Sequence, residues 1–196
     1  MAEEPKDMNP APEDFNHELL CVLSGFGGQG LLFAGKVMAN TGLIDGRHVS
    51  WMPSYGPEMR GGTANCNVSL SDEAIGTPFI TKPNALIAMN QPSVEKFAPT
   101  VTAGGTIVVD STLAMNGVEG IDIAPGISVF AFKATEMAEE AGLKGLANVI
   151  CLGKLWKETR FCTREVLDQA LEMCVPASKR HLLEPNMRAL EMGMAL

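Results

Sequence analysis

The sequence predicts a single α/β domain, a three-layer α/β/α sandwich with a mostly parallel sheet. Short apolar runs of strand length alternate with segments of helical length, which is the pattern of such folds. The first apolar run leads through a glycine-rich turn directly into a helix. Apolar residues make up 46% of the 196 positions, enough for one core, and no linker divides the chain. We therefore expect one domain over residues 18–196.

Six strands are predicted from continuous apolar runs and from alternation of apolar and polar residues. The first, residues 19–24 (LLCVLS), is an apolar run that ends in glycines, which is typical of a buried parallel strand. The other predicted strands are residues 47–52, 63–70, 85–89, 106–110 and 127–132.

Helices are predicted between and after these strands. Residues 31–42 form the first, with Gly42 as its C-cap. Thr135 and Thr163 are expected to N-cap two later helices. Residues 146–156 (LANVICLGKLW) are apolar on nearly all sides, so this helix must be buried in the core or against a partner. The remaining predicted helices span residues 93–100, interrupted at a proline, and residues 184–192.

Charge and the N-terminal composition exclude several classes of partner. Residues 1–17 are acidic and rich in proline, and we expect a disordered tail there. The formal charge of −8 disfavours nucleic acid and anionic membrane surfaces. The tail lacks the basic and then apolar pattern of a signal peptide, and no run reaches the roughly 18 apolar residues that span a bilayer. We therefore expect a cytoplasmic protein that binds neither nucleic acid nor membrane.

The cysteines and histidines do not form a recognisable metal or catalytic pattern. The chain has five cysteines, an odd number, and no pair has the CxxC spacing. They are expected to be small buried hydrophobic residues rather than ligands of zinc or an iron–sulfur cluster. The three histidines are scattered along the chain. We predict no metal site and no catalytic residue. Asp110, at the end of a predicted strand, could orient a ligand or cap a turn.

The turn GFGGQG, from Gly25 to Gly30, matches the GxGxxG pattern between a strand and a helix. Glycines permit close backbone approach, and the helix N-terminus then presents free N–H groups to an anion. The alternative is an ordinary tight turn. A dinucleotide site would need an acidic residue at the end of the second strand, but Pro53 follows that strand. A stand-alone nucleotide-binding protein is therefore the secondary hypothesis, and Leu31 after the turn excludes a P-loop.

The segment SYGPEMRGG, residues 54–62, is the second candidate binding element. Arg60 lies beside two glycines, and a guanidinium can bind a phosphate or carboxylate through two hydrogen bonds. The alternative is an ordinary loop in which Arg60 pairs with Glu58 or caps a helix. Because ligands bind outside the carboxyl ends of parallel strands, we expect this loop and the glycine turn to meet. The candidate cofactor-binding residues are Gly25, Gly27, Gly28, Gln29, Gly30, Ser54, Tyr55 and Arg60.

These two elements belong to a longer pattern. GFGGQG, SYGPEMRGGTANCNVSLSDEAIGTP and ALIAMNQPSVEKF are followed by KATEMAEEAGLKGLANVICLGKL and EPNMRALEMGM. Together they resemble the gamma subunit of 2-oxoacid:ferredoxin (or other acceptor) oxidoreductases, over about residues 19–193. The loop form is similar to the 2-oxoglutarate and branched-chain 2-oxoacid types rather than to the indolepyruvate type.

The resemblance implies a role within a larger enzyme. Such enzymes convert a 2-oxoacid and coenzyme A to acyl-CoA and CO2, and pass electrons to ferredoxin or another acceptor. Thiamine diphosphate with Mg2+ lies between alpha and beta subunits, and iron–sulfur clusters sit in the beta or a ferredoxin-like delta subunit. This chain would be auxiliary, with the candidate residues near the coenzyme A path or the alpha-subunit contact. From the apolar helix we also expect the isolated chain to self-associate, for example as a homodimer.

Overall fold

The computed structural model describes residues 18–54 and 64–196 of the chain. Within these residues the chain forms six strands and six α-helices. In chain order they are β1 Glu18–Gly25, α1 Leu31–Ile44, β2 His48–Ser54, β3 Ala64–Ser71, β4 Ala85–Ala88, α2 Gln91–Phe97, β5 Thr106–Asp110, β6 Ser128–Phe132, α3 Ala134–Glu140, α4 Ala147–Thr159, α5 Arg164–Cys174 and α6 Leu183–Ala195. The predicted tail, residues 1–17, lies outside the described residues.

The strands form one sheet in the order β2-β3-β1-β4-β5-β6. Strands β1, β4, β5 and β6 pair in parallel, whereas β3 is antiparallel to both β1 and β2. Five of the strands described therefore point in one direction, and the predicted mostly parallel sheet is confirmed. We call the edge at which these five strands end the carboxyl edge. Gly25 pairs with Ala64, and Ser54 with Asn65, at this edge.

Two layers of helix of unequal size cover the sheet. Alternate residues of a strand face opposite sides, so Leu23 and Ile87 enter one core while Val22 and Leu86 enter the other. The larger core lies beneath α1, α4, α5 and α6. The smaller core lies beneath α2 and the segments on either side of β5. The three-layer prediction is thus confirmed, although one outer layer is much thinner.

Strand β2 includes Pro53, which sequence analysis placed beyond the strand. Proline lacks the N–H that a central strand would donate to its neighbour. Strand β2 is at the edge of the sheet, paired only with β3, and there Pro53 lies opposite Cys66. An edge strand tolerates proline because one side of its backbone has no partner strand.

Helix α4 is buried along most of its length, as its composition predicts. Every residue from Ala147 to Trp156 is buried, between the sheet on one side and α6 on the other. Lys154 is included, and its ammonium donates to Glu158 Oε1 at 2.7 Å and lies 4.1 Å from the centre of the Phe130 ring. The chain itself therefore covers this helix. Because α6 covers α4, this helix does not itself offer a surface for self-association, and self-association of the isolated chain stays a prediction.

Two glycines allow α4 and α6 to touch backbone to backbone. A Cβ at Gly153 would lie 2.1 Å from the main-chain oxygen of Leu190, and one at Gly193 would lie 1.9 Å from that of Ile150. Both distances are far below van der Waals contact. The α4–α6 crossing consequently requires glycine at both positions.

Two predicted helix caps were wrong, and the first is the C-cap at Gly42. Helix α1 continues through Gly42 to Ile44, and a Cβ at Gly42 would lie 2.7 Å from side-chain carbons of Val49 and Leu70. Gly42 is therefore a packing residue, and Gly46, with φ of 71°, takes the left-handed position after the helix.

Of the two predicted threonine caps, one is confirmed. Thr163 Oγ1 accepts a hydrogen bond from the Val166 N–H at 3.2 Å. Thr135 instead lies inside the first turn of α3, which begins at Ala134. Its hydroxyl donates to the Asp110 carboxylate.

The α4–α6 crossing gives a first testable prediction. Gly193→Ala should lower the free energy of unfolding by about 3 kcal/mol, because the added methyl overlaps backbone that cannot rotate away. Gly76→Ala is the matched control, since no atom lies within 4 Å of its added Cβ. Urea denaturation of both variants measures the difference, and equal stabilities would contradict the proposed crossing.

Candidate functional site

The carboxyl edge carries a pocket of about 250 Å³ between the glycine turn and the adjoining ends of β2 and β3. Sheet register creates it, because β3 brings Ser54 and Ala64 beside the end of β1. The pocket is lined by Phe26, Gly27, Gly28, Gly30, Leu31, Leu32, Ser54 and Ala64. The structure thus brings four of the candidate residues into one concave surface.

The glycine turn leads into the uncapped N-terminus of α1. Gly28 and Gly30 have φ of 90° and 77°, which side chains of L-residues rarely adopt. No side chain caps the helix at Gly30, and Leu31 and Leu32 of its first turn line the pocket. Free N–H groups and the helix dipole favour an anion at such a position.

Gln29 is used within the turn rather than left free for a ligand. Its Oε1 accepts a hydrogen bond from the Phe26 N–H, and its Nε2 donates to the Met89 main-chain oxygen at 3.0 Å. Gly25 provides the space, because a Cβ there would lie 2.4 Å from Gln29 Oε1. Gly25 and Gln29 therefore shape the site, whereas Gly27, Gly28 and Ser54 face the pocket.

Asn148, at the start of α4, is a member of the site that sequence analysis missed. Its side chain is 2% exposed, and its Nδ2 donates to the Gly30 main-chain oxygen at 2.9 Å. The two residues are 118 positions apart, so no local pattern joins them. The available signal was a lone amide within the apolar run LANVI.

Tyr55 and Arg60 lie outside the described residues. They belong to the segment 55–63, which connects Ser54 to Ala64, and both of these flanking residues line the pocket. Their assignment to the site stays a prediction from the sequence.

Comparison with known proteins identifies the family. The family model described as pyruvate ferredoxin/flavodoxin oxidoreductase matches residues 21–196. This chain belongs to that family. The resemblance seen in the sequence is confirmed.

Relatives within the family fall into two lengths. The ketoisovalerate oxidoreductase subunit VorA of Methanothermobacter thermautotrophicus is 36% identical over 96% of this chain, which spans only 39% of that relative. The 2-oxoglutarate synthase subunit KorC of Methanothermobacter marburgensis is 33% identical over 89% of this chain and 94% of its own length. The chain thus spans about two fifths of one relative and nearly all of the other.

Solved structures of the family share the fold. The gamma subunit of a keto/oxoacid ferredoxin oxidoreductase from Geobacter sulfurreducens superposes with a TM-score of 0.73, at 30% identity, over 92% of this chain and 97% of its own. A chain of the 2-oxoglutarate:ferredoxin oxidoreductase from Magnetococcus marinus gives a TM-score of 0.74 at 22% identity, over 92% of this chain and 31% of that chain. The latter likeness concerns the fold alone.

Family membership and sheet order both disfavour the dinucleotide-binding alternative. In a dinucleotide-binding fold, the first two strands are neighbours, and an acidic residue after the second holds the ribose. Here β3 lies between β1 and β2, and β2 ends at Ser54. The strand beside β1 on this side, β3, runs in the opposite direction, so no strand end there places an acidic ribose contact beside the glycine turn.

Asp110 is buried at the carboxyl edge and caps local structure. Its carboxylate accepts hydrogen bonds from the Thr112 N–H at 3.1 Å and from the N–H and hydroxyl of Thr135. These bonds tie the end of β5 to the first turn of α3. Of the two hypotheses for Asp110, turn capping is the one that the geometry favours.

All five cysteines are buried. Burial raises the pKa of the Cys66 thiol to about 11 and that of the Cys162 thiol to about 12. It also raises the pKa of the Cys21 and Cys151 thiols well above the usual value. Within residues 18–54 and 64–196, no group of three or more His, Cys, Asp or Glu residues could hold a metal ion. These described side chains therefore do not fit an iron–sulfur cluster.

No helix in the described part of the chain is both long enough and apolar enough to cross a bilayer.

The raised thiol pKa values predict how stability depends on pH. A thiol with a higher pKa in the folded state stabilises the fold below the unfolded pKa of about 9, and this contribution is lost as pH rises toward the folded value. We expect Cys162 to contribute a slope of about −1.4 kcal/mol per pH unit in the free energy of unfolding above pH 9. Cys162→Ala should remove that contribution in urea denaturation at about pH 9 and 11. An unchanged slope would show that the thiol is not shifted.

Proposed function

We propose that this chain is the gamma subunit of a thiamine-diphosphate-dependent 2-oxoacid:ferredoxin oxidoreductase. The complex converts a 2-oxoacid and coenzyme A to acyl-CoA and CO2 and reduces ferredoxin or another acceptor. The observation that carries this proposal is the match to KorC, which covers 89% of this chain and 94% of that subunit. The proposed substrate is 2-oxoglutarate, because this chain is 33% identical to KorC over most of both chains. A branched-chain 2-oxoacid is the second candidate, favoured by the 36% identity to VorA.

In this proposal the redox and decarboxylation chemistry belongs to partner subunits. The alpha and beta subunits hold thiamine diphosphate and Mg2+, and the beta or a delta subunit holds the iron–sulfur clusters. The support from this chain is that its thiols are buried and, in the residues described, are dispersed over β1, β3, α4, α5 and a loop. Such thiols are neutral at physiological pH and inaccessible as ligands.

The pocket at the carboxyl edge is the proposed contribution of this chain. The uncapped N-terminus of α1 and the bare backbone at Gly27 and Gly28 suit a phosphate group of coenzyme A. Ser54 adds a hydroxyl, and Arg60, in the segment between Ser54 and Ala64, is proposed to add a guanidinium. The alternative for the same surface is a contact with the alpha subunit.

The assembly and substrate can be tested together. We expect a tagged copy of this chain, purified under native conditions from its source cells, to bring down thiamine-binding and ferredoxin-like chains. The purified complex should reduce ferredoxin with 2-oxoglutarate only when coenzyme A is present. Activity with 3-methyl-2-oxobutanoate instead would favour the branched-chain alternative. Purification of the chain alone, with micromolar binding of NAD(H), would contradict the proposal.

The role of Arg60 is tested in the purified complex. Arg60→Ala should raise the KM for coenzyme A about tenfold with little change in kcat, because one charge-assisted contact to phosphate is lost. Lys82→Ala is the matched control, since it also removes one positive charge but lies at the opposite edge of the sheet, just before β4. Unchanged KM and unchanged assembly for Arg60→Ala would exclude Arg60 from the site.

A further inference from the structure

We infer that Gln29 is a positioning residue, which holds the glycine turn in the shape that presents its backbone to the pocket. The inference rests on the proposed function of that pocket in binding coenzyme A. It replaces a direct ligand contact by Gln29, because both polar atoms of its side chain are already used within the chain.

The two hydrogen bonds of Gln29 require both an acceptor and a donor at the end of the side chain. Its Oε1 accepts from the Phe26 N–H at the start of the turn, and its Nε2 donates to the Met89 oxygen, just after β4. One end of the side chain must therefore be an acceptor and the other a donor, which a carboxylate or an alkyl group cannot supply. The side chain spans from one strand end to the next and closes the turn against the sheet.

Asn148 anchors the other end of the same turn. Its Nδ2 donates to the Gly30 oxygen, and a Cβ at Gly30 would lie 2.6 Å from that nitrogen. Gly27 and Gly28, between the two anchored points, remain exposed. The turn is thus fixed where it joins β1 and α1 and left bare where a ligand would approach.

Asn84 makes the same kind of double hydrogen bond at the opposite edge of the sheet. Its Oδ1 accepts from the Leu20 N–H at 2.8 Å, and its Nδ2 donates to the Glu18 oxygen at 2.7 Å. It joins β1 to the start of β4, far along the sheet from the pocket. Asn84 therefore offers a control in which a similar structural loss occurs away from the site.

The first experiment compares Gln29→Ala with Asn84→Ala in the purified complex. We expect Gln29→Ala to raise the KM for coenzyme A about tenfold with kcat nearly unchanged, because the turn becomes mobile. Asn84→Ala should leave both constants unchanged. Equal effects of the two variants on KM would overturn the positioning role.

A second variant gives a pH signature that general destabilisation would not produce. In Gln29→Glu, a neutral carboxyl can accept from Phe26 and donate to Met89 as glutamine does. The ionised form would place an oxygen against the Met89 oxygen. We expect the KM for coenzyme A to fall toward the wild-type value as pH is lowered and this carboxyl is protonated. In Gln29→Ala the ratio to wild type should be independent of pH, and a pH-independent ratio for Gln29→Glu as well would overturn the inference.

Amide hydrogen exchange of the full-length chain separates the inference from the proposed function, because it needs no ligand. The Phe26 N–H should be protected in wild type and in Asn84→Ala, and should exchange faster in Gln29→Ala. Unchanged protection of the Phe26 N–H in Gln29→Ala would overturn the inference, whatever the effect on the KM for coenzyme A. Lost protection with an unchanged KM in Gln29→Ala would also overturn the positioning role, and an Arg60→Ala effect would then show that the proposed function itself still stands.

Discussion

The insertion of β3 between β1 and β2 is the constraint on which the site depends. Because β3 is antiparallel to both neighbours, its first residue lies where β1 and β2 end. Ser54 and Ala64, on either side of positions 55–63, therefore lie beside the glycine turn at one edge. Strands β1 and β2 would be neighbours in a dinucleotide-binding fold, and the same GxGxxG turn would then face an acidic ribose contact. The position of β3 therefore changes what lies beside the glycine turn, although the sequence of the turn still matches GxGxxG.

Side-chain amides fix β1 at both of its ends. Gln29 and Asn84 each bridge β1 or its following turn to the neighbourhood of β4 by one accepted and one donated hydrogen bond. Such bonds contribute about 1 kcal/mol each to stability but have strict geometry, so their larger effect is on where the backbone lies. At the edge of the sheet opposite the pocket, the hydrogen bonds of Asn84 only join strands. At the carboxyl edge the hydrogen bonds of Gln29 set the shape of a turn whose middle is exposed.

Hydrophobic periodicity predicted the strands and helices of this fold well. The roles of several single residues were instead set by tertiary packing. Strand and helix positions followed from periodicity because core and surface alternate at fixed intervals. The function of single residues did not follow in the same way. Gly42 resembles a helix C-cap, yet it is required by the contact of α1 with β2 and β3, and the cap role passes to Gly46. The partners of Gly30 and Gly153 come from helices more than thirty residues away, so no window of sequence contains both sides of those contacts.

The distribution of polar groups explains why an auxiliary role suits this chain. Its thiols are buried, and the Asp110 carboxylate accepts three hydrogen bonds from the turn after β5 and from α3. In the described residues, the carboxyl edge offers an uncapped helix N-terminus and exposed glycines, with the Ser54 hydroxyl beside them. Backbone groups can bind and orient an anionic group, but they neither titrate near neutral pH nor carry electrons. In the proposed complex, a domain of this kind contributes binding and orientation, and the chemistry belongs to the partner subunits.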